Sequence, residues 1–310
     1  MPHVETMNKL LNLGSLNIDH TYAVQTAAEP GETVKAQGYA RNIGGKGLNQ
    51  SVAFARAGGT VCHGGKIGPE GLFLKEFLTA EGVDASRVLE SPEPTGHAVI
   101  QVESTGQNCI VVYGGANRTL TEAEIDAMLE GFGEGDFLLL QNEVNRIGYA
   151  AQQAKKRGMQ VVLNPSPAED LDIPLDLVDW FVLNEHEAGA LFGPAWEAAT
   201  GNRASASPKM AAICMIPLMK QTCPGAKFVL TLGENGAMYF DETESVHQEA
   251  FRVDAVDTTG AGDTFTGYFL QAILAGKTPA EALERAAKAA ALAVTRPGAA
   301  AAIPRAEELK

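Results

Sequence analysis

The chain has 310 residues, of which 45% are hydrophobic and 20% are charged, a composition typical of a globular protein with a large core. Its formal net charge of -14 at pH 7 argues against a nucleic-acid partner, because phosphate backbones are bound by clustered Lys and Arg. An anionic ligand must then be held locally, as backbone amides at a helix N-terminus can do.

Two features bear on the cellular compartment. The four cysteines form no CxxC pair, which in a chain of this length predicts reduced thiols and a cytoplasmic protein. They are Cys62, Cys109, Cys214 and Cys223. No run approaches the roughly 18 apolar residues of a membrane span, and the N-terminus has no long apolar segment, so we expect neither membrane insertion nor secretion.

Short apolar runs alternate with segments of helical periodicity along the chain. The runs that we predict to be strands are residues 9–13, 60–63, 137–140, 160–163, 180–183 and 228–232. Strands separated by helices indicate βαβ units, so the sequence predicts an α/β protein with a largely parallel sheet.

Several helix ends and one loop are marked locally. Residues 121–124 and 278–281 both have the Thr-x-x-Glu pattern of a capping box, which predicts a helix N-terminus at each. A further helix is predicted over 147–157, ending at Gly158, because glycine commonly follows a helix C-terminus. Residues 194–208 are rich in Ala, Ser, Gly and Asn, which predicts a surface loop.

Two regions interrupt the alternation of strands and helices. Residues 97–102 and 108–113 have the pattern of paired strands around a Thr-Gly turn, and no helix is predicted beside them. We predict a small separate sheet, inserted from about residues 17–43 and 95–115. This sheet would serve as a lid or as a dimer surface on a single domain that spans residues 1–310.

The segment Asp-Thr-Thr-Gly-Ala-Gly-Asp at 257–263 lies between a strand-like run, 251–256, and an apolar helix. Its glycines let consecutive amides point outward at the helix start, an arrangement that binds phosphate and stabilises a transferring phosphoryl group. Asp263 would there accept a proton from a hydroxyl nucleophile. Helix capping by Asp263 behind a glycine-rich turn explains the same residues equally well.

Two further polar clusters adjoin predicted elements. In the glycine-rich segment 42–50, Lys46 and Asn49 offer donors to hydroxyl oxygens, although a tight turn with a solvated lysine is the commoner reading of such a segment. After the first strand, Asn17 and Asp19 share one face of an extended segment, where a carboxylate can accept hydrogen bonds from two neighbouring sugar hydroxyls. Capping or turn formation would also explain this pair.

The absence of several motifs narrows the choice of activity. The sequence has no GxxxxGK[ST] P-loop, no GxSxG elbow, no HExxH and no complete GxGxxG after the first strand. Hydrolases, zinc proteases and ordinary nicotinamide-dependent oxidoreductases are therefore disfavoured.

Together these segments resemble the ribokinase family of sugar kinases, and the resemblance covers nearly the whole chain. Two long signatures carry it, GGKGxNQ at 44–50 and DTTGAGD at 257–263. Shorter matches occur at residues 30–34, 164–168, 184–187, 231–236 and 293–298. The resemblance implies a three-layer α/β fold with a small β-sheet lid, a homodimer formed through that lid, and ATP-dependent phosphorylation of a small sugar.

The resemblance also implies roles for individual residues. Asp263 is the implied base, and the amides of Gly260, Ala261 and Gly262 form the implied anion hole. The implied sugar contacts are Asn17, Asp19, Gly45, Lys46, Asn49 and Glu143. The implied residues near the nucleotide and Mg²⁺ are Asn184, Glu187, Thr231, Gly233 and Gly236. Taken singly, Glu143 could be an ordinary loop carboxylate, Asn184 and Glu187 a helix N-cap, and 231–236 a hairpin turn.

A monovalent-cation site, probably for K⁺ in this family, is implied at Asp257, Thr259, Ala293, Arg296, Gly298 and Ala302, chiefly through backbone carbonyls. Ala302 departs from the Ser that is frequent at this position and has no side-chain oxygen. An Asx-type turn at Asp257, without any metal, is the alternative.

The leading functional hypothesis is phosphorylation of D-ribose by MgATP. The alternative is another small hydroxyl substrate, such as deoxyribose, fructose or a nucleoside, because one fold serves many substrates. The polar set Asp19, Lys46, Asn49 and Glu143 favours a small sugar. A sugar-sensing protein without catalysis is disfavoured because Asp263 and its glycine turn are both present.

Overall fold

The computed structural model describes residues 8–105, 107–200 and 213–309, and its centre is a nine-stranded sheet. In chain order the strands are β1 (Leu10–Leu13), β4 (Val61–Ile67), β5 (Asp84–Glu90), β8 (Phe137–Gln141), β9 (Gln160–Asn164), β10 (Trp180–Asn184), β11 (Lys227–Thr231), β12 (Ala237–Phe240) and β13 (Ser245–Gln248). Their spatial order is β13-β12-β11-β10-β9-β8-β1-β4-β5, and only the pairs β11–β12 and β12–β13 are antiparallel. All six predicted strands are present, and the predicted, mostly parallel sheet is confirmed.

Helices cover both faces of this sheet. They are α1 (Lys46–Arg56), α2 (Leu72–Ala80), α3 (Glu122–Met128), α4 (Ile147–Lys156), α5 (Glu185–Thr200), α6 (Ile216–Thr222), α7 (Ala261–Leu274) and α8 (Pro279–Ala293). Buried side chains of α1, α2, α7 and α8 pack with Leu139 on one face, while those of α3 to α6 pack with its neighbours Leu138 and Leu140 on the other. Because successive strand residues point to opposite faces, one apolar strand serves two cores and produces three layers.

A separate sheet of four strands is also present, as predicted. It contains β2 (Asn17–Val24), β3 (Gly38–Gly44), β6 (Gly96–Glu103) and β7 (Asn108–Tyr113), in the order β3-β2-β6-β7. The strands β2 and β6 are parallel, whereas the two outer pairings are antiparallel. The edge strand β7 is exposed along its whole length, with Val111 at 64% and Val112 at 62% exposure.

The predicted helix ends agree with the structure. Both capping boxes are present: each Thr hydroxyl accepts from the Glu backbone amide three residues on, and that Glu side chain accepts from the Thr amide. The helix α4 ends one residue before Arg157, and Gly158 follows with a φ of 78°. Such a left-handed residue after a helix is favoured by glycine, which has no Cβ.

Two local predictions were wrong. The loop predicted over 194–208 is helical through Thr200, and the rest of it lies outside the described residues. Burial of Ala188 and Phe192 anchors this helix, and the residues that follow Pro194 are mostly good helix formers. The strand-like run 251–256 pairs with no strand, because the amides of Val256 and Asp257 donate to the carbonyl of Val294 instead.

The helices were also compared with the length of a membrane span. Within the described residues, none of them is both long and apolar enough to cross a membrane.

Candidate active site

A cavity of about 140 Å³ opens at the carboxyl ends of β9, β10 and β11, between the first turns of α1, α5 and α7. It is lined by Lys46, Asn164, Ser166, Val182, Leu183, Asn184, Glu187, Thr231, Gly260, Gly262, Asp263 and Thr266. Ligands of open α/β sheets gather at this edge, because the helix N-termini converge there. The structure therefore brings the two long sequence signatures to one place.

The turn 257–263 forms the N-terminus of α7. Gly260 is the N-cap residue with a φ of 75°, and a Cβ there would lie 3.1 Å from the Cα of Ala299. A Cβ at Gly262 would meet no atom within 4 Å in the described part of the chain. The Ala261 amide donates to Thr258 O at 3.2 Å, at the long end of the hydrogen-bond range. The glycines thus shape a turn that leaves open space above the first amides of the helix.

Asp263 lies in the first turn of α7 and is buried, with 8% of its surface exposed. Both carboxylate oxygens are hydrogen bonded to side-chain amides of α1. Asn49 Nδ2 donates to Oδ2 at 3.0 Å, and Gln50 Nε2 donates to Oδ1 at 2.9 Å. Gln50 belongs to the GGKGxNQ signature, but the sequence alone suggested no separate role for it.

Lys46 begins α1 and lies among carboxylates from four segments. Burial lowers the pKa of its ammonium group, but Asp263, Glu143, Glu187 and Asp19 together outweigh burial and raise it. The ammonium group is therefore charged at neutral pH and is the nearest positive charge to the predicted base.

The entry to α1 is closely packed against the loop after β1. Gly45 has a φ of 97°, and a Cβ there would lie 2.8 Å from Ser15 O. Glu143, which follows β8, accepts a hydrogen bond from the Lys46 amide at 3.1 Å and another from the Ser15 hydroxyl. Glu143 is therefore part of the site rather than an ordinary loop carboxylate.

Asp19 projects from β2 toward the same region. Burial, and secondly the Glu143 carboxylate, raise its pKa to about 6, although Lys46 lowers it. A Cβ at Gly44 would lie 2.2 Å from Asp19 Oδ2, so only glycine allows β3 to pass beneath this carboxylate.

Asn17 is held by a residue that the sequence did not single out. Asn117 Nδ2 donates to Asn17 Oδ1 at 2.8 Å, and the same side chain exchanges two hydrogen bonds with the backbone of Leu16. Asn117 lies in a short 3₁₀ turn without a recognisable motif, and its proximity to Asn17, 100 residues away, depends on tertiary structure.

On the opposite wall, Asn184 and Glu187 form an N-cap for α5. Asn184 Oδ1 accepts from the Glu187 amide at 2.8 Å, and Glu187 Oε2 accepts from the Asn184 amide at 3.0 Å. Burial raises the pKa of Glu187, and the hydrogen bond from Asn184 partly opposes this shift. Thr231 lines the cavity at the end of β11, while Gly233 and Gly236 lie in the hairpin turn that follows.

The residues of the predicted cation site surround the same turn. Asp257 accepts hydrogen bonds from the amides of Thr259 at 2.9 Å and Gly298 at 2.8 Å, which is the Asx-type turn with one further bond. Burial raises the pKa of Asp257, but these hydrogen bonds outweigh it and lower the pKa. The remaining members, Ala293, Arg296 and Ala302, lie at the end of α8 and in the loop after it.

Comparison with known proteins agrees with this geometry. Residues 7–306 match the model of the pfkB family of carbohydrate kinases. The ribokinase of Haemophilus influenzae is 38% identical over 310 residues, covering 97% of both chains. The deoxyribokinase of Salmonella typhi is 33% identical over 305 residues, covering 96% of this chain and 95% of its own. The structure of Arabidopsis thaliana ribokinase complexed with ribose and ATP has a TM-score of 0.82 and 30% identity, covering 98% of both chains.

The chain belongs to the pfkB family of carbohydrate kinases. This confirms the family that the two signatures indicated, and it confirms that the protein is a carbohydrate kinase.

The glycine turn generates a prediction about stability. Gly260→Ala should lower the free energy of unfolding by about 1–2 kcal/mol, because a Cβ is disfavoured at positive φ and Ala299 is close. Gly262→Ala is the matched control and should leave stability unchanged or raise it by about 0.5–1 kcal/mol, since alanine favours the helix. Denaturant unfolding of both variants measures this. Equal destabilisation of the two would contradict the assigned backbone geometry.

Proposed function

We propose that this protein catalyses ATP-dependent phosphorylation of D-ribose to D-ribose 5-phosphate. The observation that carries the proposal is the position of Asp263, which is buried at the wall of the cavity, beside Lys46 and beneath the open turn at Gly262. The full-length similarity to the ribokinase of Haemophilus influenzae supports ribose as the sugar.

In the proposed reaction, Asp263 accepts the proton of the sugar 5-hydroxyl as its oxygen attacks the γ-phosphorus of ATP. A new O–P bond forms, the bond from the γ-phosphorus to the bridging oxygen breaks, and ADP leaves. Charge on the transferring phosphoryl group would be stabilised by the amides of Gly260, Ala261 and Gly262 and by the Lys46 ammonium. The Ala261 amide can exchange its long bond to Thr258 for a phosphoryl oxygen.

The polar surface on the other side of Lys46 would bind the sugar. Asp19 would accept hydrogen bonds from two neighbouring hydroxyls, and its raised pKa reflects a carboxylate that lacks such donors in the free protein. The further proposed contacts are Asn17, Gly45, Lys46, Asn49 and Glu143.

The nucleotide would lie toward β11, with Asn184, Glu187, Thr231, Gly233 and Gly236 on that side. The buried Glu187 carboxylate lines the cavity and suits a hard cation. Within the described residues no group of three or more His, Cys, Asp or Glu side chains could hold a metal ion, so Mg²⁺ would be bound mainly by phosphate oxygens and water. Bound Mg²⁺ would neutralise phosphate charge.

For the small sheet we propose the role of a lid over the sugar, within a single domain that spans residues 1–310. The exposed apolar side chains of β7, an unpaired edge strand, favour a second copy of this chain as the partner of the lid. We further propose a cytoplasmic location, where the free thiols would stay reduced.

The first prediction tests the reaction and the sugar. ADP release should be fastest with D-ribose in a screen that includes 2-deoxyribose, fructose and adenosine, and Asp263→Asn should lower kcat by about 10²–10⁴-fold. The control Asp254→Asn removes an exposed carboxylate outside the cavity and should leave kcat unchanged. Faster turnover of deoxyribose would favour the alternative substrate, in line with the deoxyribokinase relative.

The second prediction concerns the pH dependence of sugar binding. Since the pKa of Asp19 is about 6 in the free protein, ribose affinity should fall as the pH drops through about 6 and the carboxylate becomes protonated. In the free protein the same raised pKa makes ionisation of Asp19 cost stability as the pH rises toward 6, and bound sugar would offset that cost.

Calorimetry with ribose at about pH 5.5 and pH 7.5 measures this, and Asp19→Asn should remove the pH dependence. The variant should also weaken ribose binding by about 1.5–3 kcal/mol while leaving ATP binding intact. Equal weakening for ribose and for a non-hydrolysable ATP analogue would assign Asp19 a general structural role.

The third prediction concerns the monovalent cation. We propose that K⁺ is held by the Asp257 carboxylate and by backbone carbonyls of Thr259 and 293–302, where it would orient the amides of the glycine turn. The hydrogen bonds of Asp257 already join these two segments, and a carbonyl or water would replace the side chain that Ala302 lacks. The rate should be higher in K⁺ than in tetramethylammonium at equal ionic strength. Identical kcat and KM in both salts would contradict the proposal.

The fourth prediction concerns assembly. Light scattering should show a dimer, and either Val111→Glu or Val112→Glu should dissociate it, because adjacent strand residues occupy opposite faces of the small sheet. The unaffected variant is the control for folding and identifies the free face. A monomer at high concentration of the unmodified protein would contradict pairing through the lid.

A further inference from the structure

A chain of buried side-chain amides runs from Asp263 into the central sheet. Gln50 of α1, Gln141 at the end of β8 and Asn12 in β1 are each fully buried. Buried amides cost free energy unless they are hydrogen bonded, and apolar side chains of similar size would fill this space at lower cost. Stability therefore gives no reason for three consecutive amides behind the site.

The hydrogen bonds of Gln50 determine which way its amide points. Nε2 donates to Asp263 Oδ1 at 2.9 Å and to Asn164 Oδ1 at 2.9 Å, while Oε1 accepts from Gln141 Nε2 at 2.7 Å. Each hydrogen of Nε2 has an acceptor, and the amide oxygen has a donor. Rotating the amide by 180° would place its oxygen against two acceptors, one of them the carboxylate of Asp263.

The orientation of Gln50 depends in turn on residues farther from the cavity. Gln141 Nε2 also donates to Asn12 Oδ1 at 2.9 Å, so a rotated Gln141 would present its oxygen to both Gln50 Oε1 and Asn12 Oδ1. Asn12 Nδ2 donates to Gly47 O at 2.8 Å and to Ser51 Oγ at 2.9 Å. Because a backbone carbonyl can only accept, Gly47 determines the direction of every amide in the chain.

We propose that Gln50 is the positioning residue for the base, and that Gln141 and Asn12 fix the direction in which Gln50 donates. This inference rests on the proposed role of Asp263. A donor held on Oδ1 fixes the plane of the carboxylate and stabilises its charged form, so that Oδ2 is presented to the sugar hydroxyl. Asn49 is suited to a different task, since its Oδ1 has no partner among the described residues and its amide is free to turn toward a ligand.

The test uses Gln50→Met and Gln141→Met, which keep length and apolar packing but remove the donor or its orienting partner. The single-turnover rate of phosphoryl transfer is measured against pH at saturating ribose and MgATP, so that Asp19 remains paired with sugar. For Gln50→Met we expect the acid limb to move up by about one pH unit and the plateau to fall about tenfold, with the KM for ribose changed less than about threefold. For Gln141→Met we expect a smaller change in the same direction.

Ser51→Ala is the matched control. Ser51 is the next residue of α1 and is equally buried, but its contacts are with Asn12 and His63, which lie away from Asp263. The Asn12 amide keeps its bond to Gly47, so Ser51→Ala should lower thermal stability and leave the acid limb in place.

An acid limb that stays at its original pH in a folded Gln50 or Gln141 variant would overturn the inference, whatever the plateau rate. Failure of the proposed function is distinguishable from this result, because it would appear in the unmodified protein as absent ribose phosphorylation or as full activity of Asp263→Asn. If Gln50→Met fails to fold by circular dichroism, Gln141→Met decides the question.

Discussion

The close contact between α1 and α7 is the constraint on which the site depends. A Cβ at Gly267 would lie 2.4 Å from the Cβ of Ala53 and 2.7 Å from the amide of Phe54, so the two helices pack backbone to backbone at this point. This approach places the first turn of α1 beside the first turn of α7, and Asn49 and Gln50 reach Asp263 across the interface. Any larger residue at 267 would separate the helices and break both hydrogen bonds.

Charge in the site is arranged locally rather than by the protein as a whole. With a net charge of -14, the long-range field repels a nucleotide, so attraction must come from groups within a few ångströms. Lys46 supplies the charge, and the helix N-termini supply oriented amides that need no counterion. The four carboxylates around Lys46 hold its ammonium in place and keep it protonated, which suits a group that must face a phosphate.

The two sheets divide the work between them. The nine-stranded sheet is buried on both faces and aligns the carboxyl ends of β9, β10 and β11 at the cavity. The four-stranded sheet contributes Asn17 and Asp19 from β2, directly after β1, and it is exposed enough to move relative to the core. A rigid phosphate side and a more mobile sugar side are what an enzyme needs if it must exclude water from a transferring phosphoryl group.

The sequence by itself determined the α/β class, the capping boxes and the position of every predicted strand that lies in the large sheet, because each depends on apolar periodicity or on hydrogen bonds within a few residues. It also identified Asp263 and Lys46, since the glycine patterns around them are long and local. Only the tertiary structure decided that Asn117 holds Asn17, that 251–256 pairs with the loop after α8, and that Gln50 and Gln141 form a buried chain behind Asp263. These contacts join residues about 40 to 210 positions apart, and their existence depends on helix packing and strand order, which no local pattern of residues encodes.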